Sequence, residues 1–201
     1  MVDTIGLLAG TGWAAGLNLY LVTFLLGVAG RLDWIDVPAV LQRTDVMIVA
    51  GVLYGIEFAA DKIPYLDNLW DAIHTFVRPL GAAALGYVIA GDSPSIGAAV
   101  GAVLSGALAL TSHSAKATTR AAVNTSPEPF SNIVLSLFED GLVAGVVALA
   151  ILNPWITLIV VAILAALATW LSIKLFGAIR RVRARWASRR SSPPTDLAGR
   201  T

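Results

Sequence analysis

The charged residues of this chain that could do chemistry fall at helical spacing. Asp67, Asp71, His74 and Arg78 lie within DKIPYLDNLWDAIHTFVRP, separated by four, three and four positions, so they share one face of a helix. Two carboxylates, an imidazole and a guanidinium on one face can hold an ion, pass a proton or bind a charged solute. The other face is apolar, so we expect the polar face to point inward or toward water.

Three further stretches carry polar residues at similar spacing. They are Glu57 and Asp61; His113, Lys116, Arg120 and Asn124; and Asn132, Ser136, Glu139 and Asp140. With Lys62, the four stripes hold six carboxylates, four cations and both histidines of the chain. Mixed signs are what buried charges require, because an unpaired charge at the centre of a bilayer costs at least about 2.5 kcal/mol. We therefore predict an inward-facing polar site.

The carboxylates of Glu139 and Asp140 are the hardest to place in water. They lie inside the apolar run IVLSLFEDGLVAGVVALA, where a loop is a poor explanation. Adjacent carboxylates there need Arg, Lys, a metal ion or a proton, and we take Arg78 and Arg120 as candidate partners. The alternative is a collar of helix ends in water, which accounts for Asp67 well and for these two residues poorly.

Membrane helices must hold these stripes. The chain of 201 residues is 57% hydrophobic and 13% charged with a mean hydropathy of +0.76, which is too apolar for a soluble domain. A membrane helix needs about 20 apolar residues. Apolar runs cover roughly 4–30, 44–60, 68–90, 95–112, 131–152 and 154–178. We predict an all-α transmembrane bundle of about six helices.

Basic residues concentrate at the C-terminal end. Residues 174–201 hold eight basic residues and one acidic residue, and such a bias favours the cytoplasmic side. We predict a bundle over 1–178 and a basic, disordered cytoplasmic tail over 179–201, in a cell inner (plasma) membrane. With six crossings, the N-terminus and both long polar connections lie on the side of the tail.

Prolines at the polar segments suggest that the bundle is irregular. Pro64 and Pro79 flank the first segment, and Pro127 and Pro129 precede the fifth run. Each proline removes a backbone donor, and broken or re-entrant helices are tolerated where they line a cavity. We therefore expect such helices near the site.

Glycines four positions apart allow helices to approach closely. The pairs are Gly6/Gly10, Gly12/Gly16, Gly51/Gly55, Gly97/Gly101 and Gly141/Gly145. Bundle packing is the plain explanation, and a dimer seam is the alternative. A weak internal repeat also links Val52–Gly55 to Val103–Gly106.

Two segments resemble the signature regions of a known family. EFAADKIPYLDNLWDAIHTFVRPLGA at 57–82 and HSAKATTRAAVNTSPEPFSNIVLSLFEDG at 113–141 are similar to those of an uncharacterised bacterial multi-pass membrane family, the domain of unknown function 4126. The early GWAAGLNLYL also looks like its first helix. The resemblance implies that the motif positions matter, Thr75 among them, and it implies no activity.

The stripes favour a small transporter or channel that moves an ion or small charged solute. The candidate pathway residues are Glu57, Asp61, Lys62, Asp71, His74, Arg78, His113, Lys116, Arg120, Asn124, Ser126, Asn132, Ser136, Glu139 and Asp140. One alternative is a scaffold with a charged cytoplasmic collar. Another is an enzyme acting on a lipid head group, with Thr75 or Ser126 as nucleophile. The enzyme is less favoured, because the sequence has neither a His-Glu-x-x-His helix nor a Walker-type loop.

Composition limits the remaining possibilities. The chain has no cysteine, which excludes disulfides, thiolate metal sites and thiol nucleophiles. We expect no cofactor and no nucleic-acid partner, with the lipid bilayer as surroundings. We also expect a homo-oligomer, with a dimer favoured, because a chain this short rarely encloses a pathway alone. Metal binding and the sign of the solute charge stay open.

Overall fold

The described part of the chain folds into helices. The computed structural model describes residues 2–63, 65–91, 97–125 and 129–190, with the backbone alone at 129 and 182–190. Its six helices are α1 (Val2–Arg31), α2 (Thr44–Ala60), α3 (Leu66–Gly91), α4 (Ala98–Val123), α5 (Pro129–Leu152) and α6 (Pro154–Arg190). In this part of the chain, five helices have the length and apolarity of membrane-spanning helices, and α2 has 17 residues. The prediction of an all-α membrane bundle is confirmed.

Helix α1 is broken in the middle and folds back as a re-entrant hairpin. Asn18 has non-helical dihedral angles (φ −151°, ψ 95°) between two helical halves. Both ends of α1 lie at one end of the bundle, where Asp3 and Asp36 line the same cleft. Each half has at most about 16 residues, too few to cross a bilayer. The re-entrant backbone is thus in α1, whereas α3 continues through Pro79.

The hairpin reverses the predicted position of the N-terminus. Gly6 packs against Pro154, the first residue of α6, so α1 begins where α6 begins. Helices α2 to α6 then run alternately along the bundle, and the N-terminus lies opposite the last residues of α6. Six crossings would have placed it beside them. We call the end where α1 and α6 begin the hairpin end, and the opposite end, where α6 finishes, the tail end.

Small residues let the hairpin fit between the longer helices. A Cβ added to Gly12 would lie 2.6 Å from the Cα of Ser105, and one added to Gly16 would overlap Ser112. Ser105 also donates a hydrogen bond to the carbonyl of Leu8 at 3.2 Å. The predicted packing role of glycine is confirmed for α1, whose first half lies directly on α4.

Other glycines face open space. A Cβ added to Gly55, Gly141 or Gly145 would have no neighbour within 4 Å among the described residues. Gly106 instead packs against Ala83 of α3. The two glycines of the sequence repeat, Gly55 and Gly106, therefore have different surroundings.

Near the tail end, helix α3 buries its charged face and exposes its apolar face. Asp67, Asp71, His74 and Arg78 are buried, whereas Phe76 is 73% exposed. The spacing of the stripe predicts this orientation, with the charged face toward the other helices and the apolar face toward lipid. Helix α4 follows the same rule along its last turns.

Two helices extend past the predicted apolar runs. Helix α4 continues to Val123 rather than ending at residue 112, because its buried face there is polar and a hydropathy pattern misses it. Helix α6 continues to Arg190, past the boundary at residue 178, through a stretch rich in Ala and Arg, which have high helix propensity. Residues 191–201 lie outside the described residues, as do Pro64, Ser126 and Pro127.

Candidate functional site

The break in α1 brings polar groups into the middle of the bundle. The side-chain oxygen of Asn18 accepts a hydrogen bond from the backbone N–H of Leu21 at 2.9 Å and so caps the second half of the hairpin. The carbonyl of Leu17, at the end of the first half, accepts one from Lys116 Nζ at 3.1 Å. Asn18 also donates to Asp140 at 3.2 Å. The hairpin tip therefore contacts a cation through a freed carbonyl and a carboxylate through its capping residue.

Arg78 connects three helices. One guanidinium nitrogen lies 2.7 Å from Glu57 of α2, and the other lies 3.0 Å from Asp71 of α3. The nitrogen that reaches Asp71 also donates to Nδ1 of His113, on α4, at 2.9 Å. Arg78 and Glu57 are both 0% exposed, so this ion pair is fully removed from solvent.

Lys116 lies among three carboxylates, two at the end of α2 and one on α5. Its Nζ atom is 2.6 Å from Asp61, 3.4 Å from Glu57 and 3.6 Å from Glu139. With the bond to the Leu17 carbonyl, this one ammonium group ties the hairpin tip to α2, α4 and α5. Lys116 is buried, so these contacts replace its water shell.

Arg120 holds the next layer toward the tail end. It lies 2.6 Å from Glu139 and 3.4 Å from the carboxylate of Asp61, and it donates to the Asp61 carbonyl at 2.5 Å. Burial raises the pKa of the Asp61 carboxyl, but the charges of Lys116 and Arg120 outweigh burial and hold this pKa below its usual range. Arg120 is thus the predicted partner of Glu139, whereas Arg78 pairs with other carboxylates.

Amide side chains close the network at the tail end. Asn124 donates to both carboxylate oxygens of Asp67 at 2.9 Å, and Asn132 donates to Asn124 at 2.9 Å. All three residues are buried. Asp67 therefore lies inside the protein, whereas a collar in water would expose it.

Asp140 and Lys62 lie at the edge of the network. Asp140 accepts hydrogen bonds from Asn18 and from the Tyr54 hydroxyl, the latter at 3.5 Å, and no ion pair to it occurs among the described residues. Lys62 donates to Ser136 at 3.2 Å, and its ammonium lies 2.9 Å from the centre of the Phe58 ring. The predicted arginine partner of Asp140 is thus wrong, because the side chain points toward the hairpin tip.

The two histidines have different hydrogen bonds. His113 accepts from Arg78 at Nδ1, so its proton is on Nε2, 3.1 Å from the Thr75 hydroxyl. His74 donates from Nδ1 to the Trp70 carbonyl at 2.8 Å, and its Nε2 lies 3.0 Å from the Tyr20 hydroxyl. The Tyr20 hydroxyl can donate or accept, so Nε2 of His74 can be protonated or unprotonated. Nε2 of His113 must keep its proton, because Nδ1 of that ring accepts from Arg78.

An apolar crevice leads from the hairpin end to Tyr20. It has a volume of about 470 Å³ between α1, α2 and α3. Asp45 and Val46, at the start of α2, line its outer part, and Leu19 and Tyr20, next to the hairpin tip, line its inner part. Tyr20 thus lies between the crevice and the charge network.

Negative charge exceeds positive charge in the network. Among the described residues, the buried carboxylates outnumber the buried cations by five to three: Glu57, Asp61, Asp67, Asp71 and Glu139 against Arg78, Lys116 and Arg120. One oxygen each of Glu57, Asp61 and Asp71 is buried and has no hydrogen-bond partner in the described part of the chain. No three His, Asp or Glu side chains of this part of the chain converge as a metal site. Such carboxylates need protons or a further cation.

One protein-family model matches this chain over most of its length. The model of a domain of unknown function, DUF4126, matches residues 5–174, which is most of the chain. The chain belongs to this family. The match confirms the resemblance seen in the two motif segments. Neither the curated proteins nor the solved structures include a match to this chain.

The DUF4126 chain brings the predicted pathway residues together, with one outside the described residues. Those in the buried network are Glu57, Asp61, Asp71, His74, Arg78, His113, Lys116, Arg120, Asn124, Asn132 and Glu139, with Ser136 buried beside Lys62 and Asp140 at its edge. Ser126 lies outside the described residues.

Several partners in this DUF4126 site were not among the predicted pathway residues, and two tyrosines and one backbone carbonyl stand out. The hydroxyls of Tyr20 and Tyr54 reach His74 and Asp140, and the Leu17 carbonyl reaches Lys116. A tyrosine within an apolar helix is most often core, so the sequence carried little signal for the first two. A carbonyl leaves no trace in the sequence at all.

Proposed function

We propose that this protein is a small transporter that moves an ion or small charged solute through the buried charge network. The observation that carries the proposal is the network itself, which combines paired charges, surplus carboxylates and a broken helix at one place. Intramembrane ionisable residues mark ion and substrate pathways, and broken helices supply free backbone groups at such sites.

The depth of the network supports this proposal. Asp67 and Arg78 are eleven positions apart on α3, which corresponds to roughly 16 Å along the helix. That is about half of a hydrocarbon core of about 30 Å. The network thus extends from the tail end to the hairpin tip, and the crevice with Tyr20 covers the remaining depth. The described conformation has side chains filling the network, as an occluded state of a transporter would.

The burial of the charges favours transport over a scaffold with a charged collar. A collar that captures a cytoplasmic partner needs accessible charges, but Asp67, Lys116 and Arg120 are buried. Lys62 alone among the cations of the four stripes is only half-buried. A homodimer and a cytoplasmic tail remain predictions and are compatible with transport.

The hydrogen bonds around Thr75 disfavour an enzyme that uses it as a nucleophile. A histidine that activates a hydroxyl must accept its proton, but Nε2 of His113 already carries one because Arg78 donates to Nδ1. Thr75 also donates to the Asp71 carbonyl at 2.9 Å. A hydrogen-bonding role explains both contacts.

Ion flux into proteoliposomes tests the proposal. Vesicles containing the full chain would be given gradients of protons, sodium, rubidium, chloride or phosphate, and flux would be compared with empty vesicles. We expect Glu139→Gln and Arg120→Ala to reduce flux by at least about tenfold. The matched controls are Asp33→Asn and Arg43→Ala, whose side chains are exposed and lie outside the crevice. Equal flux in the wild type, Glu139→Gln and Arg120→Ala would remove the network from the pathway.

A further inference from the structure

The contact between Tyr20 and His74 joins the crevice to the charge network. Tyr20 lines the crevice, and its hydroxyl is 3.0 Å from Nε2 of His74, which is buried. The imidazole stacks on Trp70 with ring centres 4.5 Å apart, and its Nδ1 is held by the Trp70 carbonyl. In the described conformation, Nε2 of the ring is therefore on the crevice side.

His74 can gain a proton without losing a hydrogen bond. In the neutral ring, Nε2 accepts from the Tyr20 hydroxyl, and in the protonated ring, Nε2 donates to the same oxygen. His113 cannot do this, because Arg78 donates to its Nδ1. The two histidines thus differ in function: one can carry a proton and the other is a fixed neutral link.

The surroundings of His74 favour proton passage toward the tail end. The groups that face it are Tyr20 of α1, Glu57 of α2, Asp71 and Arg78 of its own helix, and His113 of α4. Glu57 and Asp71 each have a buried oxygen that no described residue contacts through a hydrogen bond. These oxygens are natural acceptors for a proton that leaves the imidazole, since the network has surplus negative charge.

We propose that Tyr20 and His74 pass protons between the crevice and the charge network, so that the proton is the coupling ion of the transporter. Hydronium on the crevice side gives a proton to the Tyr20 oxygen while the hydroxyl hydrogen of Tyr20 moves to the lone pair of Nε2, so that water and a neutral Tyr20 remain and the ring becomes doubly protonated. The doubly protonated ring then turns away from Tyr20 and gives the Nε2 proton to a carboxylate oxygen of Glu57 or Asp71, which restores the neutral ring. This inference rests on the proposed function and names its coupling ion.

Histidine NMR tests the inference without a transport assay. The chain has two histidines, so ¹⁵N-labelled histidine gives two assignable rings. Between about pH 5 and pH 8, we expect one ring to become doubly protonated and the other to keep a single proton on Nε2. His74→Gln should remove the titrating ring. A His74 ring that stays neutral over this range, or a His113 ring that titrates instead, would overturn the inference.

Proton flux in proteoliposomes tests the same relay in function. With an imposed membrane potential and an enclosed pH dye, we expect Tyr20→Phe to slow proton entry by at least about tenfold. Tyr87→Phe is the matched control, since Tyr87 is exposed on α3. Equal proton entry in Tyr20→Phe and wild type would overturn the relay. Sodium flux without proton flux would also overturn it, yet would leave the proposed transport function standing.

Discussion

Helix α3 buries charged residues such as Asp71 and Arg78 along its tail-end half, and small or apolar residues such as Ala82 and Leu85 along the half that follows. The second half follows the ordinary rule for membrane bundles, in which small residues allow close packing. The first half must offset the cost of taking each charge out of water. Stability alone does not require buried charges, so we infer that the charged half of α3 serves the function.

Two ion pairs of nearly equal length repeat this contrast. Arg120 and Glu139 are 2.6 Å apart with side chains 0% and 9% exposed, whereas Arg43 and Asp45 are 2.7 Å apart with both side chains 63% exposed. Distance is therefore the same, and burial differs. Substitutions at the two pairs therefore distinguish the effect of burial on stability from the effect of the ion-pair contact.

Removing one partner of the buried pair should have the largest effect on stability. Arg120→Ala leaves Glu139 buried with only the more distant Lys116, so we expect the free energy of unfolding to fall by about 3–5 kcal/mol. Unfolding in mixed detergent micelles measures this change. A loss below about 1 kcal/mol would mean that water reaches the network.

Overpacking beside the hairpin tip should have the next largest effect. A Cβ on Gly16 would overlap Ser112 and the Ala109 carbonyl, so Gly16→Ala should lower the free energy of unfolding by about 1–3 kcal/mol. Gly141→Ala is the control, because a Cβ there meets open space among the described residues. It should leave stability equal or raise it. Equal effects of the two changes would contradict the tight fit of the hairpin.

Acid should weaken the network through Asp61. The neighbouring cations lower the pKa of this carboxyl in the folded protein, so its contribution to stability is present above its unfolded pKa of about 3.9 and is lost as the pH falls below it. Asp61→Asn should therefore lose less stability than the wild type between pH 7 and acid. Identical acid curves from detergent unfolding would show that Asp61 is not held ionised by Lys116 and Arg120.

Breaking the exposed pair should have the smallest effect. We expect Arg43→Ala to change the free energy of unfolding by less than about 1 kcal/mol, because water solvates Asp45 whether or not the arginine is present. The same detergent unfolding assay applies. A loss as large as that of Arg120→Ala would show that burial does not determine how much each ion pair contributes to stability.

The sequence predicted the tail-end half better than the hairpin end. Charges at helical spacing in an apolar chain have few alternatives, so the burial of Asp71 and Arg78 followed from periodicity and sign. Of the two arginines predicted as partners of Glu139, Arg120 is the one that pairs with it. The arginine partner for Asp140 did not follow, since spacing alone does not reveal where a side chain at the edge of a stripe points.

The break at Asn18 could not be predicted from local sequence. No proline or glycine lies next to it, and GLNLYL is compatible with a continuous helix. Tertiary contacts stabilise the break: Lys116 binds the Leu17 carbonyl, and Asp140 binds Asn18. Because those partners are about 100 positions or more away in sequence, the error in the position of the N-terminus followed from this one missed turn.

The most direct test separates the function of the buried pair from its contribution to stability. Arg120→Met combined with Glu139→Leu removes one charge of each sign and fills the space with apolar side chains. Such replacements of a buried pair are often neutral for stability. Because Arg120 also contacts Asp61, we expect this double variant to be more stable than Arg120→Ala and less stable than the wild type. We predict that it moves no ion or solute in proteoliposomes where the wild type does. A folded double variant with wild-type flux would contradict the assignment of the pathway to the charge network.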